Sequence, residues 1–151
     1  KRNIAPEGYK KIVFPVHQYT ESKHKLWPTI EIAKQFGAEV LLYMKTESDE
    51  YLQNHVKLNT QHAERYLEAN NIDYSVSAYD PSEGHFTDHL IAFAEANEAD
   101  LMVILTTTGK NVTEFIIGKE EEIIINNAAQ IPVMCVNPVA NIYSITEPIV
   151  Y

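Results

Sequence analysis

The feature that most restricts how this chain can fold is a repeated change of hydrophobic period: short runs that are apolar on both faces alternate with stripes spaced as on a helix. Ile12-Val13-Phe14-Pro15-Val16 is the first such run, and its lack of a polar face suits a strand buried on both sides. Leu26, Ile30, Ala33 and Phe36 then recur at helical spacing up to Gly37, where a helix would end. Pro28 lies inside that stripe and predicts a kink, or a helix that starts there. Residues 38–44 read as a second strand. Ser48, Asp49 and Glu50 form a helix start, since carboxylates favour the positive end of the backbone dipole, and the stripe Leu52, Val56, Ala63, Leu67 runs on to Asn70-Asn71.

The same alternation continues to the end. Residues 72–78 read as a third strand, broken by Asp80-Pro81-Ser82-Glu83-Gly84, and Phe86, Leu90, Phe93 and Ala94 mark one face of a third helix. Leu101-Met102-Val103-Ile104-Leu105 is the most hydrophobic run and predicts a central strand. After a loop rich in Thr, Gly and Lys, a helix is expected over residues 119–129, and Pro132 opens a last strand, Val133-Met134-Cys135-Val136. Five strands separated by four helices need right-handed crossovers, which build an open α/β parallel sheet with helices on both faces. The expected domain spans residues 1–138, and residues 139–151 form an apolar tail suited to packing on a partner or a second domain.

Composition removes several function classes. With 12 Lys and Arg against 21 Asp and Glu, the formal charge is −9, which opposes binding to a phosphate backbone. The lone Cys135 allows no internal disulfide and no thiolate metal cluster, consistent with a cytoplasmic location, and in an apolar strand it reads as a core residue. No apolar run approaches the ~20 residues of a membrane span, so no membrane partner is expected.

Ligands of open α/β sheets bind beyond the carboxyl ends of the strands, where the strand order reverses. If the first strand borders the fourth, that crevice is lined by Val16, His17 and Gln18 on one side and by Thr106, Thr107, Thr108, Gly109 and Lys110 on the other. Gly109 and the helix start near Gly118 are able to turn N–H groups toward an anion, although by spacing alone both glycines read as turn residues.

At this point the residues resemble a known family. Residues 11–16 as first strand, Ile32 to Leu42 as a helix-to-strand step, Asp100-Leu101-Met102-Val103-Ile104 before a Gly-containing loop, and residues 131–136 as closing strand together resemble a universal stress protein domain. The resemblance implies a Rossmann-like sheet in the order 3-2-1-4-5, as in adenine nucleotide alpha hydrolase-like folds, and a homodimer joined through the last strand. Many members bind ATP through Gly-x2-Gly-x9-Gly-Ser/Thr after the fourth strand, with an Asp directly after the first. Here the nearest match is Thr106-x2-Gly109-x8-Gly118-Lys119, and His17 stands at the Asp position. The first glycine is missing, the spacer is one residue short, and Lys119 replaces the hydroxyl residue. Glu120, Glu121 and Glu122 would also take the helix dipole for themselves, each gaining ~0.3 to 1 kcal/mol, and repel a triphosphate.

Other candidates have plainer explanations. The stretch from Gly109 to Lys119 has eight residues between its glycines where a phosphate-binding loop has four, and Glu120 follows the Lys. His85 and His89 have helical spacing but no evident third metal ligand, and His55 and His62 read as a polar flank. No nucleophile elbow is present, and Asn111-Val112-Thr113 is a glycosylation sequon in spelling alone.

The expected function is therefore a non-catalytic stress-response regulatory or interaction domain with no cofactor. It would associate through Val133, Met134, Cys135 and Val136 as a homodimer, or with a tandem-domain partner. The alternative is an ATP or AMP sensor holding its nucleotide with Val16, His17, Thr106, Gly109, Lys110, Gly118 and Lys119. A weaker alternative is a low-activity phosphohydrolase with His17 as base.

Overall fold

A computed structural model describes residues 6–106 and 118–137. Its elements are β1 (Lys11–Val16), a 3-10 turn (Thr20–Lys25), α1 (Leu26–Phe36), β2 (Glu39–Met44), α2 (Glu50–Ala69), β3 (Tyr74–Ala78), a short 3-10 turn (Pro81–Glu83), α3 (Phe86–Ala96), β4 (Leu101–Leu105), α4 (Lys119–Ile125) and β5 (Val133–Val136). All strand pairs are parallel and the sheet order is β3-β2-β1-β4-β5. The strand order reverses between β1 and β4, as the family resemblance implies.

Strand alternation divides the core into two layers. Ile12, Phe14, Val16, Val40, Leu42, Leu101 and Val103 face α1 and α2, meeting Leu26, Ile30, Val56 and Leu67. Val13, Leu41, Tyr43, Met102 and Ile104 face α3 and α4, meeting Phe86, Leu90, Ala94 and Ile124. Each fully buried aliphatic side chain contributes roughly 1.5–3 kcal/mol, so both helix layers are held by burial along the whole sheet.

Local chemistry sets the element ends. Gly37 takes φ 63° and ψ 40° after Phe36 and ends α1, as its position in the stripe predicts. Pro28 sits in the first turn of α1, where no intrahelical N–H is lost, and the chain ahead of Leu26 winds as 3-10 instead of kinking. Asp49 caps α2 by accepting from the Leu52 amide at 2.9 Å. Asp100 accepts from the amides of Lys10 and Lys11 at 2.9 and 3.0 Å, which ties the start of β1 to the start of β4.

Two expectations change. The last helix ends at Ile125, not near residue 129, because Asn127 closes the chain on itself. Its Nδ2 donates to the carbonyls of Ile124 and Ile131, and its Oδ1 accepts from the Ile131 amide, all within 2.8–2.9 Å. Cys135 is exposed, not core. Among the described residues β5 is an edge strand, so its apolar neighbours in sequence do not enclose Cys135. The expected domain boundary at residue 138 and the apolar tail fall outside the described residues. Among the described residues no helix is long and apolar enough to cross a membrane.

Candidate functional site

The crevice begins where β1 ends. Val16 is 1% exposed, and its carbonyl accepts from the Lys45 amide at 2.9 Å, so its side chain belongs to the core. His17 follows as the first residue beyond the strand. Its ring meets Phe86 of α3 edge to face at 5.2 Å and stacks toward Tyr19 at 6.3 Å. Phe86 in turn stacks on Tyr43, 5.7 Å away, and meets Tyr79 at 5.3 Å. An aromatic cluster thus supports the imidazole from the α3 side. Burial, with Lys25 and Lys45 adding like charge, holds His17 far below the ordinary imidazole range, at about 3. The imidazole is neutral at physiological pH, so it does not replace the negative charge an Asp would place here.

Two lysines that the motif comparison missed complete this end. Lys25 is 1% exposed; it donates to the Pro15 carbonyl and lies 4.5 Å from the centre of the Phe14 ring. Its sequence signal is the four-residue spacing of Lys25, Thr29 and Ala33, which puts a cation on the buried stripe of α1. Lys45 pairs with Glu47 at 3.5 Å. The loop between His17 and the 3-10 turn is held from outside by Asn59 of α2, whose Nδ2 donates to the carbonyls of His17 and Tyr19 at 2.8 and 3.0 Å.

Across the crevice, Thr106 ends β4 with its hydroxyl donating to Asn137 Oδ1 and its amide to the Val136 carbonyl. The first position of the glycine motif is therefore joined to β5. Gly118 is the N-cap of α4 in an extended conformation, φ −67°, and Lys119 is exposed. The Glu121 carboxylate occupies the space that a Cβ on Gly118 would need. Gly109 and Lys110 lie outside the described residues, as does Asn111-Val112-Thr113. Of the seven predicted ligand residues, His17 and Thr106 stand at the ends of neighbouring strands, Gly118 and Lys119 open α4, and Val16 is internal.

The histidine pairs have other roles. His89 approaches the Glu83 carbonyl at 2.9 Å, and His85 is the N-cap residue of α3. Among the described residues no group of three His, Cys, Asp or Glu is placed to hold a metal.

No protein-family profile matches the chain, and no curated protein matches it by sequence. Solved structures do match in fold. The universal stress protein from Archaeoglobus fulgidus superimposes with a TM-score of 0.69 at 18% identity, over 85% of this chain and 93% of that one. A universal stress protein from the same organism in complex with dAMP gives 0.65 at 17% identity, over 85% and 98%. A universal stress protein family protein from Arabidopsis thaliana with AMP bound gives 0.56 at 13% identity, over 87% and 93%. The chain has the universal stress protein fold: a five-stranded parallel sheet in the order 3-2-1-4-5 with helices on both faces.

Proposed function

We propose that this chain is a non-catalytic regulatory or interaction domain of the universal stress protein type, acting in the cytoplasm by association, and that its crevice does not hold ATP. The observation that carries this reading is Glu121 lying against Gly118. Glu120, Glu121 and Glu122 all sit in the first turn of α4, where a phosphate would need free amides and positive potential. The Thr106 hydroxyl is engaged by Asn137, which is consistent with a crevice closed by the protein's own groups.

Association is assigned to β5, which is an edge strand among the described residues and in that position is a template for a second copy or a tandem domain. Sedimentation of the full chain and of a form ending at Pro138 tests this; a monomer in both cases overturns it.

A second reading is favoured by the relatives solved with AMP and dAMP. A mononucleotide carries less charge toward Glu121 than a triphosphate, and Lys25 and Lys45 give positive potential near His17. Thermal melting with Mg-ATP and with AMP separates the readings. A ligand at a hundredfold excess over its Kd adds ~2.7 kcal/mol, and each kcal/mol raises the midpoint by ~2–4 °C at this size. No shift with either supports the interaction domain, a shift with AMP alone supports the sensor, and a shift with ATP overturns the closed crevice.

A further inference from the structure

At the edge of the sheet opposite β5, β3 pairs with β2 and with no other strand among the described residues. The pairing is parallel and runs unbroken from Val40 opposite Tyr74 to Met44 opposite Ala78. The Val40 amide donates to the Asp73 carbonyl and the Tyr79 amide to the Met44 carbonyl, both at 2.9 Å. Backbone groups alternate along such a ladder, so Asp73, Ser75, Ser77 and Tyr79 bond toward β2, whereas Tyr74, Val76 and Ala78 turn their N–H and C=O groups outward. Native sheets block an edge of this kind with Lys, Pro or a bulge. Tyr74-Ser75-Val76-Ser77-Ala78 has none of these, and Val76 at its centre is 39% exposed.

The surroundings of this edge are acidic. From residue 64 to residue 83 the chain carries Glu64, Glu68, Asp73, Asp80 and Glu83 against a single Arg65. The Tyr74 hydroxyl donates to Glu68 at 2.5 Å, and Glu64 also acts on it, which sets both carboxylates beside the start of β3. Asp73 is exposed directly ahead of the strand, and Asp80 and Glu83 are exposed just after it. Lys57 lies on the same flank of α2 as Glu64, and His89 lies 3.9 Å from Glu83, so the cations near the edge are fewer than the carboxylates.

We infer that the outer side of β3 is a docking site for an extended basic peptide segment, which joins the sheet as a further strand. Its main chain pairs with Tyr74, Val76 and Ala78, and its Lys or Arg side chains meet the carboxylates at both ends of β3. Charge decides the occupant. A second copy pairing antiparallel about Val76 would set Asp73 of each molecule opposite Tyr79 and next to Asp80 of the other, acid against acid. An acidic peptide or a nucleic acid meets the same repulsion, and the net charge of −9 adds to it, while both the local and the net charge attract a basic segment. The inference uses neither the crevice nor β5 and stands apart from the function proposed above.

Fluorescence anisotropy of the full chain tests it with three labelled heptapeptides: one alternating Lys with Val, its glutamate-for-lysine counterpart, and the basic peptide methylated at every backbone nitrogen. The last keeps the charge and loses the main-chain donors. The basic peptide is expected to bind, and the other two to bind at least roughly tenfold more weakly. Its binding is expected to add hydrogen-exchange protection at the Tyr74, Val76 and Ala78 amides. Val76→Pro removes an outward N–H without breaking a bond to β2 and is expected to weaken binding by roughly tenfold or more. Glu64→Gln with Glu68→Gln is expected to weaken it by roughly threefold or more. Ile123→Ser, at an exposed apolar site on α4, leaves it unchanged. Should Val76→Pro fail to fold, Val76→Lys gives the same readout by placing a like charge at the centre of the edge. Absence of binding, equal binding of the acidic or the methylated peptide, no added protection along β3, wild-type affinity in folded Val76 variants, or a peptide-free dimer that Val76→Pro abolishes overturns the inference.

Discussion

Lys25 donates its amine to the main-chain carbonyl of Pro15, so the residue that leads into α1 reaches back beneath the strand end it has just left. The Phe14 ring lies 4.5 Å from the amine, and no described carboxylate is within ion-pair distance. The turn Thr20–Lys25 packs against β4 and α2 as well as α1. A buried cation therefore fastens the segment that closes one side of the crevice, and the cost of that arrangement depends on pH.

Burial lowers the Lys25 amine from 10.5 to about 7. The unfolded chain then binds more protons than the folded one between these values, so stability rises with pH across that window. Lys25→Met removes this slope. At pH 6 the variant is expected to be more stable than the wild type by about 1–4 kcal/mol, the range found when buried charge is replaced by apolar volume. The advantage shrinks toward pH 10. Urea unfolding of both proteins at several pH values checks it; parallel pH curves for the two would refute it.

His17 gives a second pH dependence in the acid range. Its folded value is about 3 against an ordinary 6.5, so stability supplied by the neutral ring is complete above 6.5 and falls as pH drops toward 3. In NMR titration the His17 ring signals are expected to stay flat from pH 8 to pH 5. His17→Gln is expected to lose less stability than the wild type over the same acidification. A His17 midpoint near 6.5 would contradict the caged, neutral ring.

Asn127 is 6% exposed and uses both ends of its amide to close the turn between α4 and β5. Asn127→Ala strands the Ile131 amide and two carbonyls, at an expected cost of about 1–3 kcal/mol. Asn127→Asp keeps the acceptor, loses the donors and sets a charge against two carbonyls, so it is expected to be the worse of the two. Denaturant midpoints order the variants, and an Asp variant as stable as wild type would count against this role.

Gly37 has φ 63°, and a Cβ there would meet nothing within 4 Å. The cost of Gly37→Ala is thus conformational and not steric, about 1–2 kcal/mol. Gly8, at φ 78°, would set its Cβ inside the Phe36 ring, so Gly8→Ala is expected to cost more. Thermal melting of the two variants distinguishes these cases; equal losses would remove the steric argument.

The parts that were legible in the sequence share a physical cause. Val13 and Phe14 point to opposite layers because a strand alternates, and both are buried because helices cover both faces. Gly37 and Asp49 end and begin helices through their own backbone and side-chain chemistry. These are local terms, carried by a residue and its near neighbours. The position of His17 at the carboxyl end of β1 followed from the same reasoning.

What the sequence by itself determined is the order of elements, their buried faces and most of their ends, since periodicity and capping act within a few residues. Only the tertiary structure decided that Cys135 is exposed on an edge strand, that Asn127 shortens α4, and that Lys25, Phe86 and Tyr19 gather around the end of β1. Those outcomes depend on burial and electrostatics between residues far apart in the chain, and such terms have no value until the sheet order brings the partners together.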